Sequence, residues 1–174
     1  LSSITTKIYA DGADLEGLLS LAQAPHIRGF TTNPTLMRKA GVEDYATFAR
    51  QVLEHIIDRP ISFEVFSDDV DGMREQAREI ASWGPNVYVK IPVTNTRGEP
   101  MTALVRELSS SGVQVNVTAL MTVRQVEEIA SALVDGAPSN ISVFAGRVAD
   151  TGRDPVPLMR EALAAMAIAP AAEL

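Results

Sequence analysis

The chain has 174 residues, enough for one sizeable core, and its length does not require a second domain. Hydrophobic residues make up 46% and charged residues 21%, and no apolar run approaches the length of a membrane-spanning helix. A net charge of −7 opposes broad nucleic-acid binding, and a cysteine count of 0 excludes disulfides, thiol catalysis and thiolate metal sites.

In chain order, Leu1–Lys7 has neither the basic start nor the apolar stretch of a secretory leader, so a cytoplasmic location is expected. Short β-branched runs then alternate with longer stretches of helical spacing. Strands are predicted at 7–11, 28–32, 61–66, 86–92, 113–118 and 139–145. Helices are predicted near 13–23, 34–39, 43–58, 68–83, 100–111, 121–134 and 155–167. Asn33 before Pro34, and Asp154 before Pro155, pair an N-cap with a proline at the first helical position. Asp68-Asp69-Val70-Asp71-Gly72 lacks the alternating ligands of a calcium loop, and Ser67 is expected to cap the helix that follows. His26 and His55 belong to no ligand motif, so no metal site is expected.

The fourth strand holds the most informative residue. Side chains alternate along a strand, so Val87, Val89, Ile91 and Val93 share one face, and Tyr88, Lys90 and Pro92 the other. Burial disfavours an ammonium and favours the amine, which attacks carbonyls, so a lysine here suits Schiff-base chemistry. The simpler alternative is a lysine on an exposed edge strand. The same alternation sets Glu64 with Ser62 and Phe66, opposite Ile61, Phe63 and Val65. It sets Asp11 opposite Ile8 and Ala10, and Gln114, Asn116 and Thr118 opposite three valines. Ser142 and Phe144 oppose Ile141 and Val143, before a loop at Gly146-Arg147.

The second strand ends at Thr31-Thr32-Asn33, so each of the six strands carries a polar group at or near its C-terminal end, on the face away from the aliphatic layer. That is the layout of a (β/α)8 barrel of the TIM type, and about six β/α units are expected in this single domain. An open doubly wound sheet would bury apolar residues on both faces, and the glycines match no dinucleotide or Walker spacing.

Thr31-Thr32-Asn33-Pro34-Thr35, Val89-Lys90-Ile91-Pro92-Val93-Thr94, Asn116-Val117-Thr118 and Ser142-Val143-Phe144-Ala145-Gly146-Arg147 resemble, in order and spacing, the signatures of the transaldolase family of class I aldolases. The resemblance runs from about Ile8 to the final helix. It implies that Lys90 forms the Schiff base, that Asp11 is the acid/base, and that Glu64 and Thr118 hold the catalytic water. It further implies that Asn33, Asn116 and Ser142 bind donor hydroxyls or orient the lysine, that Phe144 lines the substrate site, and that Arg147 binds the substrate phosphate; for Phe144 alone the simpler alternative is packing inside the barrel. Sugar phosphates would be the substrates, with no cofactor and no nucleic-acid or membrane partner. The implied reaction moves a dihydroxyacetone unit from a ketose phosphate to an aldose phosphate. The alternative is a fructose-6-phosphate aldolase that releases dihydroxyacetone. In that branch Gln and Tyr are usual where this chain has Glu64 and Phe144, which favours transfer.

The C-terminal run Ala164–Leu174 departs from the family pattern, since it shows neither a seventh nor an eighth strand, nor the second phosphate-binding arginine expected after the seventh. The chain therefore reads as a fragment, as part of an assembly completed by another copy or polypeptide, or as a remodelled barrel. Exposed edges favour association, so a homo-oligomer is expected, which sedimentation at micromolar concentration reads directly. Two competing readings remain open: a non-catalytic sugar-phosphate binder, and an unrelated phosphate-binding barrel.

Overall fold

Backbone polarity organises the fold: parallel strands can pair side by side only if each returns through a crossover, and here helices make the crossovers. The computed structural model describes residues 5–174; residues 1–4, the start of the segment read above for a leader, lie outside them. The strands are β1 Ile8–Asp11, β2 Ile27–Thr31, β3 Ile61–Glu64, β4 Val87–Pro92, β5 Val115–Leu120, β6 Ser139–Val143 and β7 Ala172–Glu173. They form one parallel sheet in sequential order, curved into a partial barrel. The helices are α1 Leu15–Ala22, α2 Pro34–Lys39, α3 Tyr45–Leu53, α4 Val70–Ala81, α5 Thr102–Ser110, α6 Val123–Ala132, α7 Ala145–Asp150 and α8 Pro155–Ala165. No helix among the described residues is long and apolar enough to cross a membrane.

Local chemistry fixes where the helices start and stop. Asp14, Asn33, Asp44, Asp69 and Asp154 each cap the helix that follows by accepting a hydrogen bond from a first-turn backbone N–H. Thr122 and Gln125 form a reciprocal capping box at the start of α6. The end of α5 is a Schellman turn: Gly112, at φ 92°, and Val113 donate to the carbonyls of Ser109 and Leu108. Between helices and sheet lies the core, in which Phe30, Ile61, Phe63, Val89, Ile91, Val115 and Val117 are fully buried.

Four expectations need correction. Ser67 is not the cap of α4; its hydroxyl donates to Asp69, whose carboxylate accepts from Gly72 N–H at 2.8 Å. The presumed loop at Gly146-Arg147 lies in the first turn of α7, a helix too short to show a period in the sequence. The C-terminus does contain a seventh strand: Ala172–Glu173 pairs with Ser139–Asn140 because the edge of β6 offers backbone groups that any extended segment can meet. β4 lies between β3 and β5, so the edge-strand reading of Lys90 fails.

The two edges of the curved sheet are bridged by an ion pair between Lys7 and Glu173, both half-exposed, so this contact contributes little beside the core. Stability should follow that ranking. Phe63→Ala is expected to cost about 3–5 kcal/mol and Thr122→Ala about 1 kcal/mol, read by urea unfolding. Equal costs would contradict the assignment of the core.

Candidate active site

The C-terminal ends of β3 and β4 put a cation and a carboxylate side by side. Glu64 and Lys90 are register partners in adjacent parallel strands, so their side chains leave the sheet on the same face. Lys90 Nζ lies 3.2 Å from Glu64 Oε2, with 12% and 23% of the two side chains exposed. The ammonium also donates to the Thr32 carbonyl at 2.9 Å. An ammonium this enclosed requires such partners, because desolvation costs more than a single neutral contact returns.

Next along the sheet, Asn116 is the register partner of Lys90 and is 3% exposed. Its amide Nδ2 donates to Ser62 Oγ at 3.0 Å, and its Oδ1 accepts from Ser142 Oγ at 2.8 Å. This chain of polar groups ties β3, β5 and β6 together beneath the lysine. On the other side, Asp11 accepts from Thr31 Oγ1 at 2.8 Å and from Asn33 Nδ2 at 3.5 Å, while Asn33 Oδ1 caps α2 through Leu36 N–H at 2.9 Å. The caps and strand ends therefore orient the polar side chains as a by-product of ending each element.

The structure thus brings Lys90 to Glu64, Asn116 to Ser142, and Asp11 to Asn33. Thr118 is buried two residues beyond Asn116, in register with Pro92. Immediately after it Ala119 adopts φ 65°, where three residues of β5 span the distance of two on β6. That bulge re-aims the chain at the strand end. Phe144, 40% exposed, precedes the first turn of α7. Arg147 stands apart from the lysine cluster, exposed and paired with Asp150 at 3.1 Å.

A cleft of about 630 Å³ opens inside the curve of the sheet, lined by Thr31, Asn116, Asn140, Ser142, Tyr9 and Glu173 among others. Tyr9 and Tyr88 are both half-buried, and burial foremost, with the charge of Glu173 adding to it, pushes both phenols up from their ordinary range. The acidic run at the start of α4 is engaged by protein: Asp68 accepts from the Thr96 hydroxyl and N–H, Asp69 caps the helix, and Asp71 in its first turn pairs with Arg74. No cluster of three or more metal-binding side chains occurs among the described residues.

Two groups in this site carried too little sequence signal to be singled out. Ser62 showed only its parity with Glu64. The other is Tyr45, from the first turn of α3, whose hydroxyl accepts from Glu64 N–H at 2.7 Å and donates to Glu64 C=O at 3.1 Å.

Comparison with known proteins finds relatives in sequence and likenesses in fold. A family model described as transaldolase/fructose-6-phosphate aldolase matches residues 8–169. A protein named probable transaldolase from Dehalococcoides mccartyi is 36% identical over 155 residues, covering 89% of this chain and 68% of the relative. Its namesake in Streptococcus agalactiae is 39% identical, with 89% and 67% covered, so the chain spans about two thirds of the length of these relatives. Among solved structures, an enolase, a putative galactarate dehydratase from Agrobacterium radiobacter, superposes with a TM-score of 0.57 at 12% identity, covering 92% of this chain and 42% of that one. Rhizobium etli pyruvate carboxylase gives 0.51 at 13% identity, covering 98% and 21%. At such identities these two likenesses speak to the fold alone. On the strength of the family match across nearly its whole length, the chain belongs to the transaldolase/fructose-6-phosphate aldolase family.

Proposed function

We propose that the chain carries the Schiff-base site of a transaldolase, which moves a dihydroxyacetone unit between sugar phosphates. The observation that carries this reading is Lys90 itself: an enclosed lysine at the C-terminal end of a central strand, 3.2 Å from the Glu64 carboxylate. Catalytic groups occupy this end of parallel barrel strands. Glu64 is placed to take a proton from the ammonium, leaving an amine whose lone pair attacks C2 of a ketose phosphate. The resulting carbinolamine loses its hydroxyl as water, with Glu64 returning the proton through solvent, and a C2 iminium on Lys90 results.

The iminium then accepts electrons. Asp11 removes the proton of the C4 hydroxyl, the C3–C4 bond breaks, its electron pair moves into the iminium to give an enamine, and an aldose phosphate departs. In the transfer direction the enamine C3 attacks the aldehyde carbon of a second aldose phosphate, Asp11 gives back the proton to the new alkoxide, and hydrolysis frees the lysine. Asn33, Asn116 and Ser142 are assigned to the donor hydroxyls, and Thr118 with Glu64 to the water. Every one of these groups is held by a strand end or by a helix cap that follows one, so little reorganisation is needed at the moment of reaction.

Glu64 and Phe144 favour transfer over simple cleavage. A phenyl ring at position 144 has no proton to give the enamine, so the intermediate persists until an aldehyde acceptor arrives. Consumption of fructose 6-phosphate should therefore depend on an added aldose phosphate and fall to background in Lys90→Met; acceptor-independent release of dihydroxyacetone would point to an aldolase, and full activity in Lys90→Met would reject the site.

Arg147 is the proposed phosphate ligand. Its pair with Asp150 is exposed, worth about 0–1 kcal/mol, and is easily exchanged for a phosphate. Arg147→Ala is expected to raise the half-saturating concentration of fructose 6-phosphate roughly tenfold, while capture of unphosphorylated dihydroxyacetone is unchanged. Equal weakening of both ligands would remove Arg147 from this role.

A further inference from the structure

The ladder between β2 and β3 stops one step early, and what replaces it leads to the lysine. Thr31 and Ser62 are register partners, and Thr32 N–H donates to Ser62 C=O at 3.0 Å. In a parallel ladder the next bond runs from Glu64 N–H to Thr32 C=O, since alternate residues of a strand turn both backbone groups to the same neighbour. That bond is not made. Val65, the next residue, donates to Lys90 C=O on the opposite side, so the Glu64 backbone groups face the departing β2.

Tyr45 fills the vacated position. Its hydroxyl satisfies both backbone groups of Glu64, accepting from N–H at 2.7 Å and donating to C=O at 3.1 Å. Thr32 C=O, relieved of its ladder partner, accepts Lys90 Nζ at 2.9 Å. One inserted hydroxyl thus exchanges a backbone bond for an acceptor aimed at the lysine, and fixes the backbone that carries the neighbouring carboxylate.

The ring is placed firmly enough for this. Tyr45 opens α3, capped by Asp44, and meets Phe63, Phe66 and Trp83 edge to face at centroid distances of 5.9, 4.8 and 5.3 Å. Burial pushes its phenol well above the ordinary range, outweighing the opposing influence of the Thr32 side chain and the Glu64 backbone, so the hydroxyl keeps the proton it donates.

We propose that Tyr45 is a positioning residue for the reaction: by wedging open the ends of β2 and β3 it directs Thr32 C=O to Lys90 Nζ and holds the Glu64 carboxylate beside it. It touches no reacting atom. The proposal rests on the Schiff-base reading above, and its test keeps the two apart.

The experiment compares the native chain with Tyr45→Phe, which keeps the ring among its aromatic neighbours and removes only the hydroxyl. The rate of iminium formation with fructose 6-phosphate, captured by borohydride and read by intact mass, should fall on the order of 10- to 100-fold. The ketose concentration for half-maximal capture should change less than about threefold, and the melting temperature less than about 5 °C. In the ligand-free proteins, the Lys90 15Nζ and Glu64 amide resonances should differ between native and variant. The native chain adds a check that needs no variant: a slowly exchanging Tyr45 hydroxyl proton in contact with the Glu64 amide proton. An unchanged capture rate beside an active native chain overturns the proposal, as does the absence of that contact. If the native chain forms no adduct, the Schiff-base reading fails instead, and the resonances decide for Tyr45: movement supports the wedge and no movement overturns it.

Discussion

An ammonium enclosed in the hollow of a parallel sheet is the constraint on which the site depends. Lys90 sits on a central strand whose other face is wholly aliphatic, with Val89 and Ile91 fully buried beneath it. Water cannot solvate the charge freely there, so the protein must supply partners, and it supplies Glu64 and the Thr32 carbonyl. Both partners come from strand ends on the same side, which leaves the other side of the lysine toward its register partner Asn116, itself part of the wall of the cleft inside the curve.

That arrangement explains why a strongly apolar fold tolerates so many polar groups in one place. Ser62, Asn116 and Thr118 are buried as deeply as the core valines, yet they lie on the concave face. Each strand contributes alternately to the two sides of the sheet, so a single rule builds the aliphatic contact with the helices and the polar hollow together. The polar groups satisfy one another in a chain from Ser142 through Asn116 to Ser62, which removes the penalty of burying them singly. Removing Asn116 would leave two hydroxyls without a partner, so this residue matters to the fold as well as to any ligand.

Most of this was legible in the sequence because it rests on parity. Lys90, Glu64, Asn116 and Ser142 share a face by spacing alone, and their strands are long or β-branched enough to announce themselves. Asn33 and Asp154 were readable as caps because a proline follows each. What was hidden depends on where a ladder ends. Tyr45 lies in an amphipathic helix and looks like any aromatic of its buried side; its hydroxyl acquires a purpose only because β2 leaves the sheet after Thr31. The cap of α4 fell on Asp69 instead of Ser67 because several adjacent residues had suitable oxygens, and only backbone geometry chooses among them. β7 escaped notice because Ala172–Glu173 has no strand character of its own and is extended by its neighbour. Arg147 was read in a loop, while it belongs to a helical turn and leans on Asp150.

The central claim is that Lys90, of all the amines in the chain, forms a covalent iminium with a ketose. The direct measurement is fragment mass spectrometry of the native chain after incubation with fructose 6-phosphate and borohydride, which locates the reduced adduct on a single residue. The account predicts a dihydroxyacetone-derived mass increase on the peptide containing Val89-Lys90-Ile91 and on no other. An adduct on Lys7 or Lys39, or an unmodified chain that is demonstrably folded, would contradict it.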